Sequence, residues 1–203
     1  MNLTDLSEIQ LDALREICGI GAGHAATELS EMVGRLVRLE VPTIEILDIT
    51  EMPSIFGGPE QIAGAAFARI EGDIDGGVLC MALPDTLATI EEMLGGQRPS
   101  PEEIFADPGA FDAADAPPRI IASYLRAICD MTGLESHAPE VLWALDMAGA
   151  LLQVIGAEIG AYADAAVLVR TAFIDEERTL DVAFFFVPSH ESLVAILSRL
   201  GLA

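Results

Sequence analysis

The chain has 203 residues with 33 acidic against 10 basic side chains, a net charge of −23, and no lysine; nucleic-acid binding is excluded, because neutralising phosphates needs a basic surface. Hydrophobic residues make up 52% of the chain, which excludes disorder. No charge-free run approaches the roughly 20 residues of a membrane span, so no membrane insertion is expected. The first seven residues hold neither a basic cluster nor an apolar signal core, and a cytoplasmic protein is expected. Cys18, Cys80 and Cys129 are far apart and sit in apolar runs, and His24, His137 and His190 are dispersed. That pattern offers no metal site and reads as buried thiols and surface or capping imidazoles.

The first predicted element is a helix from about Ser7 to Gly34, opened by a capping-type run, Thr4-Asp5-Leu6-Ser7. Its apolar positions Leu11, Leu14, Ile17, Cys18, Ala25 and Leu29 keep close to a 3.6-residue period. A strand follows at 41–46, then a linker. Runs at 65–70 and 77–84 flank an acidic turn and read as a hairpin, followed by a helix ending at Gly95. Residues 97–114, rich in proline, alanine and aspartate, read as a linker or excursion.

The order then recurs. A helical run at 120–128 ends in Asp130-Met131-Thr132-Gly133, as the first ends in Glu31-Met32-Val33-Gly34. Pro139 opens a strand as Pro42 does. A second hairpin pairs 166–171 with 180–188 around Asp175-Glu176-Glu177, and a last helix ends at Gly201. Such periodic likeness predicts an internal duplication. The expected fold is α+β: one domain over 1–203, built from two αβ(x)ββα halves (about 1–96 and 115–203, joined by 97–114). Long paired helices would lie on a largely antiparallel sheet. Trp143, Tyr124 and Phe184-Phe185-Phe186 read as core.

On the first helix Asp12, Glu16 and Gly19 recur at i, i+4 and i+7, which puts them on one face. Pro42 follows Gly19 after 22 intervening residues. Exposed acids on a helix are ordinarily solvated charges. The spacing, with the run Glu16-Ile17-Cys18-Gly19-Ile20-Gly21-Ala22-Gly23-His24, resembles the CheC/CheX/FliY family of chemotaxis phosphatases. That family's motif is Asp or Ser, three residues, Glu, two residues, Asn, 22 residues, Pro. The second helical run is similar to the family's second site helix. A gap-free match puts Asp115 at the glutamate position and Pro118 at the asparagine position.

The resemblance implies hydrolysis of the aspartyl phosphate on the response regulator CheY. Glu16 and Asp115 would be the catalytic carboxylates, pairing a regulator lysine, and Asp12, Gly19, Pro42 and Pro118 would be partner contacts. The family's asparagine orients the attacking water. The protein needs no cofactor of its own, since the regulator supplies magnesium. The receptor deamidase CheD is a second implied partner.

Gly19 and Pro118 carry no amide, and a side chain that both donates and accepts is what the family's chemistry uses. The chain's one asparagine is Asn2, and Gln10 lies on a different face of the helix from Glu16. Hydrolysis is therefore expected to be slow or absent at each matched site. The alternative is a catalytically inactive binding module or adaptor for CheY or CheD. The glycines of Gly19-Ile20-Gly21-Ala22-Gly23 do not form a dinucleotide loop, since no strand precedes them. Close helix packing is their expected reason.

Overall fold

A computed structural model describes residues 3–40, 42–159, 165–175 and 178–202. The first helix, α1 (Glu8–Val33), keeps the predicted bounds, and of the run Thr4-Asp5-Leu6-Ser7 it is the last residue that caps it. Its cap is Ser7, whose N–H donates to Gln10 Oε1 at 3.0 Å. Gln10 Nε2 in turn donates to the carbonyl of Leu202 at 2.8 Å, tying the helix start to the end of the chain. At its other end Gly34 takes the left-handed conformation (φ 69°) and closes the helix. Short β1 (Arg38–Leu39) and β2 (Thr43–Asp48) follow, then a 3-10 stretch, Ile49–Phe56. The predicted strand residue Val41 lies outside the described residues.

The hairpin is β3 (Ile62–Gly72) and β4 (Gly76–Ala82), and α2 (Pro84–Met93) succeeds it. Residues 97–114, expected as a linker or excursion, carry short elements of their own. They contain α3 (Pro101–Ala106), opened by a Ser100–Glu103 capping box, and two 3-10 turns. Ile104 and Ala113 are buried, and the Ala113 N–H donates to Glu91 Oε2 at 2.9 Å. Then come α4 (Ala116–Thr132), β5 (Ser136–His137) and β6 (Val141–Met147). Where the sequence suggested a second linker there is a helix, α5 (Ala148–Ile159); Leu151, Leu152 and Ile155 are buried there at helical spacing. The chain closes with β7 (Ala165–Asp175), β8 (Arg178–Pro188) and α6 (His190–Arg199). Glu176 and Glu177 of the predicted acidic turn lie outside the described residues.

The strands form one sheet in the order β1-β7-β8-β4-β3-β5, with β2 also on β7 and β6 also on β3, every pairing antiparallel. The order reads alike from both ends, with β4 and β8 paired at the centre. Each central strand is buried on both faces, which explains its unbroken apolar run. Val78, Cys80, Phe184 and Phe186 pack into a core with α1 and α4. Leu79, Met81, Phe185 and Val187 pack on the opposite face with α5 and the 3-10 stretch. Phe184, Phe185 and Phe186 are each fully buried, and burying such a side chain contributes about 1.5–3 kcal/mol.

The two long helices lie against each other, antiparallel, on one face of the sheet. Their order is fixed by three contacts: Glu28 with Arg119 (2.6 Å), His24 O with Ser123 Oγ (3.2 Å), and Gly21 under the ring of Tyr124. Among the described residues no helix is long and apolar enough to cross a membrane.

Candidate functional site

The site face of α1 follows from which side of the helix is buried. Leu14, Ile17, Cys18, Ala22 and Ala25 turn to the sheet and α4. Asp12 and Glu16 are thereby left exposed, and Gly19 is half-buried at the flank. The β1–β2 segment covers that flank. A β-carbon at Gly19 would lie 3.6 Å from Ile44 Cδ1 and 3.9 Å from Pro42 Cγ, ordinary contact distances. The fold thus brings the last member of the spaced motif beside the third, although 22 residues separate them in the chain. Gly19 has no positive φ and no crowding, so a larger side chain is sterically admissible there.

Arg15 completes the stripe. It stands three residues after Asp12 and four before Gly19, and its Nη1 donates to Asp12 Oδ1 at 2.8 Å. The motif spacing passes over Arg15. The signal available in the sequence was an opposite-charge pair at i, i+3. Gln10 is excluded from the face, since both ends of its amide are taken up by Ser7 and Leu202.

The second matched position lies differently. Asp115 is exposed and is the residue before α4, at the end of a 3-10 turn. Pro117 is buried and Pro118 half-buried in the first helical turn, where missing N–H groups leave no intrahelical bond unmade. Their fixed φ suits this turn, so prolines that would break a helix interior begin this one. Because α1 and α4 are antiparallel, Asp115 lies toward the C-terminal end of α1 and Glu16 toward that of α4. The two positions are on the order of 20 Å apart along the helix pair. The two carboxylates therefore do not come together on one surface patch.

The three glycines of α1 differ in their reasons. A β-carbon at Gly21 would fall 2.8 Å from two ring carbons of Tyr124, so close packing requires glycine there. At Gly23 nothing lies within 4 Å. The nearby thiol plays no part in the exposed chemistry. Burial pushes Cys18 up to about 12, offset in part by Tyr124, and it stays protonated at neutral pH. Burial alone does the same to Cys80. His24, His137 and His190 are all exposed. Among the described residues no group of three His, Cys, Asp or Glu side chains could hold a metal ion.

The chain is similar to known proteins in sequence and in fold. The profile described as "CheC-like family" matches residues 9–46, the segment that carries α1 and Pro42. The CheY-P phosphatase CheC of Bacillus subtilis (strain 168) is 31% identical over 202 residues, covering 97% of this chain and 96% of that protein. Among solved structures, FliY of Thermotoga maritima superposes with a TM-score of 0.70 at 16% identity, over 97% of this chain and 98% of that one. The FliM middle domain from H. pylori does so with a TM-score of 0.64 at 12% identity, over 96% and 99%. At those identities the two structures speak for the fold. With an end-to-end relative above 30% identity and the motif face assembled as described, the chain belongs to the CheC-like family.

Proposed function

We propose that the protein is a cytoplasmic chemotaxis protein that docks a phosphorylated CheY-type response regulator on the exposed face of α1 and hydrolyses its aspartyl phosphate slowly. The observation that carries this reading is the convergence of Asp12, Glu16 and Gly19 on one solvent-facing stripe with Pro42 packed beside it. Similarity to a CheY-P phosphatase over 97% of the chain supports the partner. Glu16 has the charge and the reach to pair a lysine of the regulator, and Asp115 offers a second, shorter carboxylate. Magnesium belongs to the regulator's own site. Phosphoryl transfer depends chiefly on positioning and charge stabilisation, so a docked carboxylate retains part of the rate without a dedicated amide.

One observation favours a second reading, a binding module for CheY or CheD without turnover: neither Gly19 nor Pro118 presents a carboxamide. A single experiment separates the two. The decay of phosphorylated regulator is followed alone, with the wild-type chain, and with Gly19→Asn and Glu16→Gln. Modest acceleration by wild type, a gain of tenfold or more for Gly19→Asn and a loss for Glu16→Gln are expected. Equal rates for wild type and Gly19→Asn would refute the account of the missing amide. Binding by neither would refute the partner. Binding without any acceleration by wild type would establish the second reading.

A further inference from the structure

The replacement at Gly19 uncovers a particular patch of α1. A helical side chain covers the turn N-terminal to its own Cα, so the side chain absent from Gly19 would have lain over residues 15 and 16. Two charged groups stand at that patch besides Glu16. Arg15 Nη1 holds Asp12 Oδ1 at 2.8 Å, and both side chains are exposed, at 49% and 71%. An exposed pair of this kind is loosely held and opens readily to an arriving ligand.

The chemistry of the pair is complementary. A carboxamide joins a donor and an acceptor in one group; a carboxylate only accepts, and a guanidinium only donates. We propose that Asp12 and Arg15 divide between them the work of the absent carboxamide. Asp12 accepts a hydrogen bond from the attacking water, and Arg15 donates to a non-bridging oxygen of the phosphoryl group. The proposal rests on the reading of α1 as the regulator-docking surface and deepens it.

In the step itself the water oxygen bonds to phosphorus. The bond from phosphorus to the regulator's aspartyl oxygen breaks, and its electron pair stays with that carboxylate. Both water protons end on the released phosphate, one of them by way of Asp12. Arg15 meets charge spread over the phosphoryl oxygens, where a planar fork of donors suits the geometry. Splitting the task also explains how Gly19 is tolerated: the face keeps one acceptor and one donor within a single helical turn of the vacated position.

The test uses the full chain with Asp12→Ala, Arg15→Ala, Arg15→Lys and the double alanine variant. Single-turnover decay of the phosphorylated regulator is measured at saturating protein, and affinity is measured with the beryllofluoride-loaded regulator. Each alanine variant is expected to remove most of the acceleration over the regulator's spontaneous decay, with affinity changed less than threefold. The double variant falls no further than the slower single, because the two groups act as a unit. Arg15→Lys recovers part of the rate, and Gly19→Asn in the Arg15→Ala background restores it. If both alanine variants keep the wild-type rate while Glu16→Gln loses it, the proposal is overturned and the docking reading stands. A loss of affinity alone overturns it equally, since the pair would then only dock. Wild type that binds without accelerating decay removes the proposal and leaves a binding module. Wild type that does not bind removes both.

Discussion

Substituting Gly21 tests the helix packing that sets the site face. A β-carbon there meets Cδ2 and Cε2 of Tyr124 at 2.8 Å and Cζ at 3.3 Å. The ring cannot swing away. It is fully buried and stacks on Phe184 with centroids 5.5 Å apart and planes 4° from parallel. Overpacking of this kind costs about 1–3 kcal/mol. Alanine returns up to about 1 kcal/mol through its better helix propensity. The net for Gly21→Ala is a loss of about 0–2 kcal/mol, or a fall in Tm of up to roughly 8 °C at this chain length. Gly23→Ala is the internal control: nothing lies within 4 Å of its β-carbon. It should gain about 0.5–1 kcal/mol. Urea and thermal denaturation followed by circular dichroism read both. Should Gly21→Ala prove as stable as Gly23→Ala, Tyr124 does not rest on α1 as described, and the orientation of the site face is wrong with it.

Further outcomes follow from single contacts. The Tyr124 hydroxyl is buried beside the Cys18 thiol without a well-aligned hydrogen bond, so Tyr124→Phe should leave stability unchanged or raise it by up to about 1 kcal/mol; a loss in denaturant titration would mean the hydroxyl is satisfied. Glu91 is 7% exposed and accepts from the Ala113 N–H, so Glu91→Ala should cost about 1–3 kcal/mol and speed hydrogen exchange at Ala113. The Ser100 N–H and hydroxyl hold the Glu103 carboxyl below its ordinary value. The folded pKa is depressed, so this support for α3 is present above the unfolded carboxyl's range, about 4.3, and disappears as pH falls through the folded value. Exchange protection of α3 should therefore drop on acidification in wild type and be insensitive to it in Glu103→Gln. Finally, a thiol reagent at neutral pH should label only half-buried Cys129 in the native protein, with Cys18 and Cys80 reacting after denaturation.

Much of this was legible in the residues because it rests on local rules. The period of α1, the glycines that end α1 and α4, and both hairpins follow from spacing and turn chemistry alone. The exposure of Asp12 and Glu16 follows from the same period. The proximity of Pro42 to Gly19 came from the motif spacing, not from any propensity, since a contact across 22 residues has no local signature. α5 escaped because Ala148-Gly149-Ala150-Leu151-Leu152 follows a strand without a turn residue between them, and a short apolar run does not declare its period. Residues 97–114 looked like a linker because composition reports proline and aspartate but not that Glu91 waits, buried, for the Ala113 amide. Arg15 was passed over because a salt bridge on a helix surface is common, and it is only the proposal made above for the patch beside Gly19 that gives this one a task.

The sheet order has a consequence for how the molecule comes into being. Thr43 pairs with Arg170, and Arg38 with Ile174, while Ile62 pairs with Met147. A nascent chain that has delivered α1, β1 and β2 has no ladder to offer those strands until β7 emerges, since Thr43 must wait for Arg170. Contacts so distant in sequence make for slow, late-committing assembly. Severing the backbone between α2 and α4 would leave two pieces, each holding strand edges that only the other can satisfy. Such pieces should be insoluble apart and regain structure only on mixing.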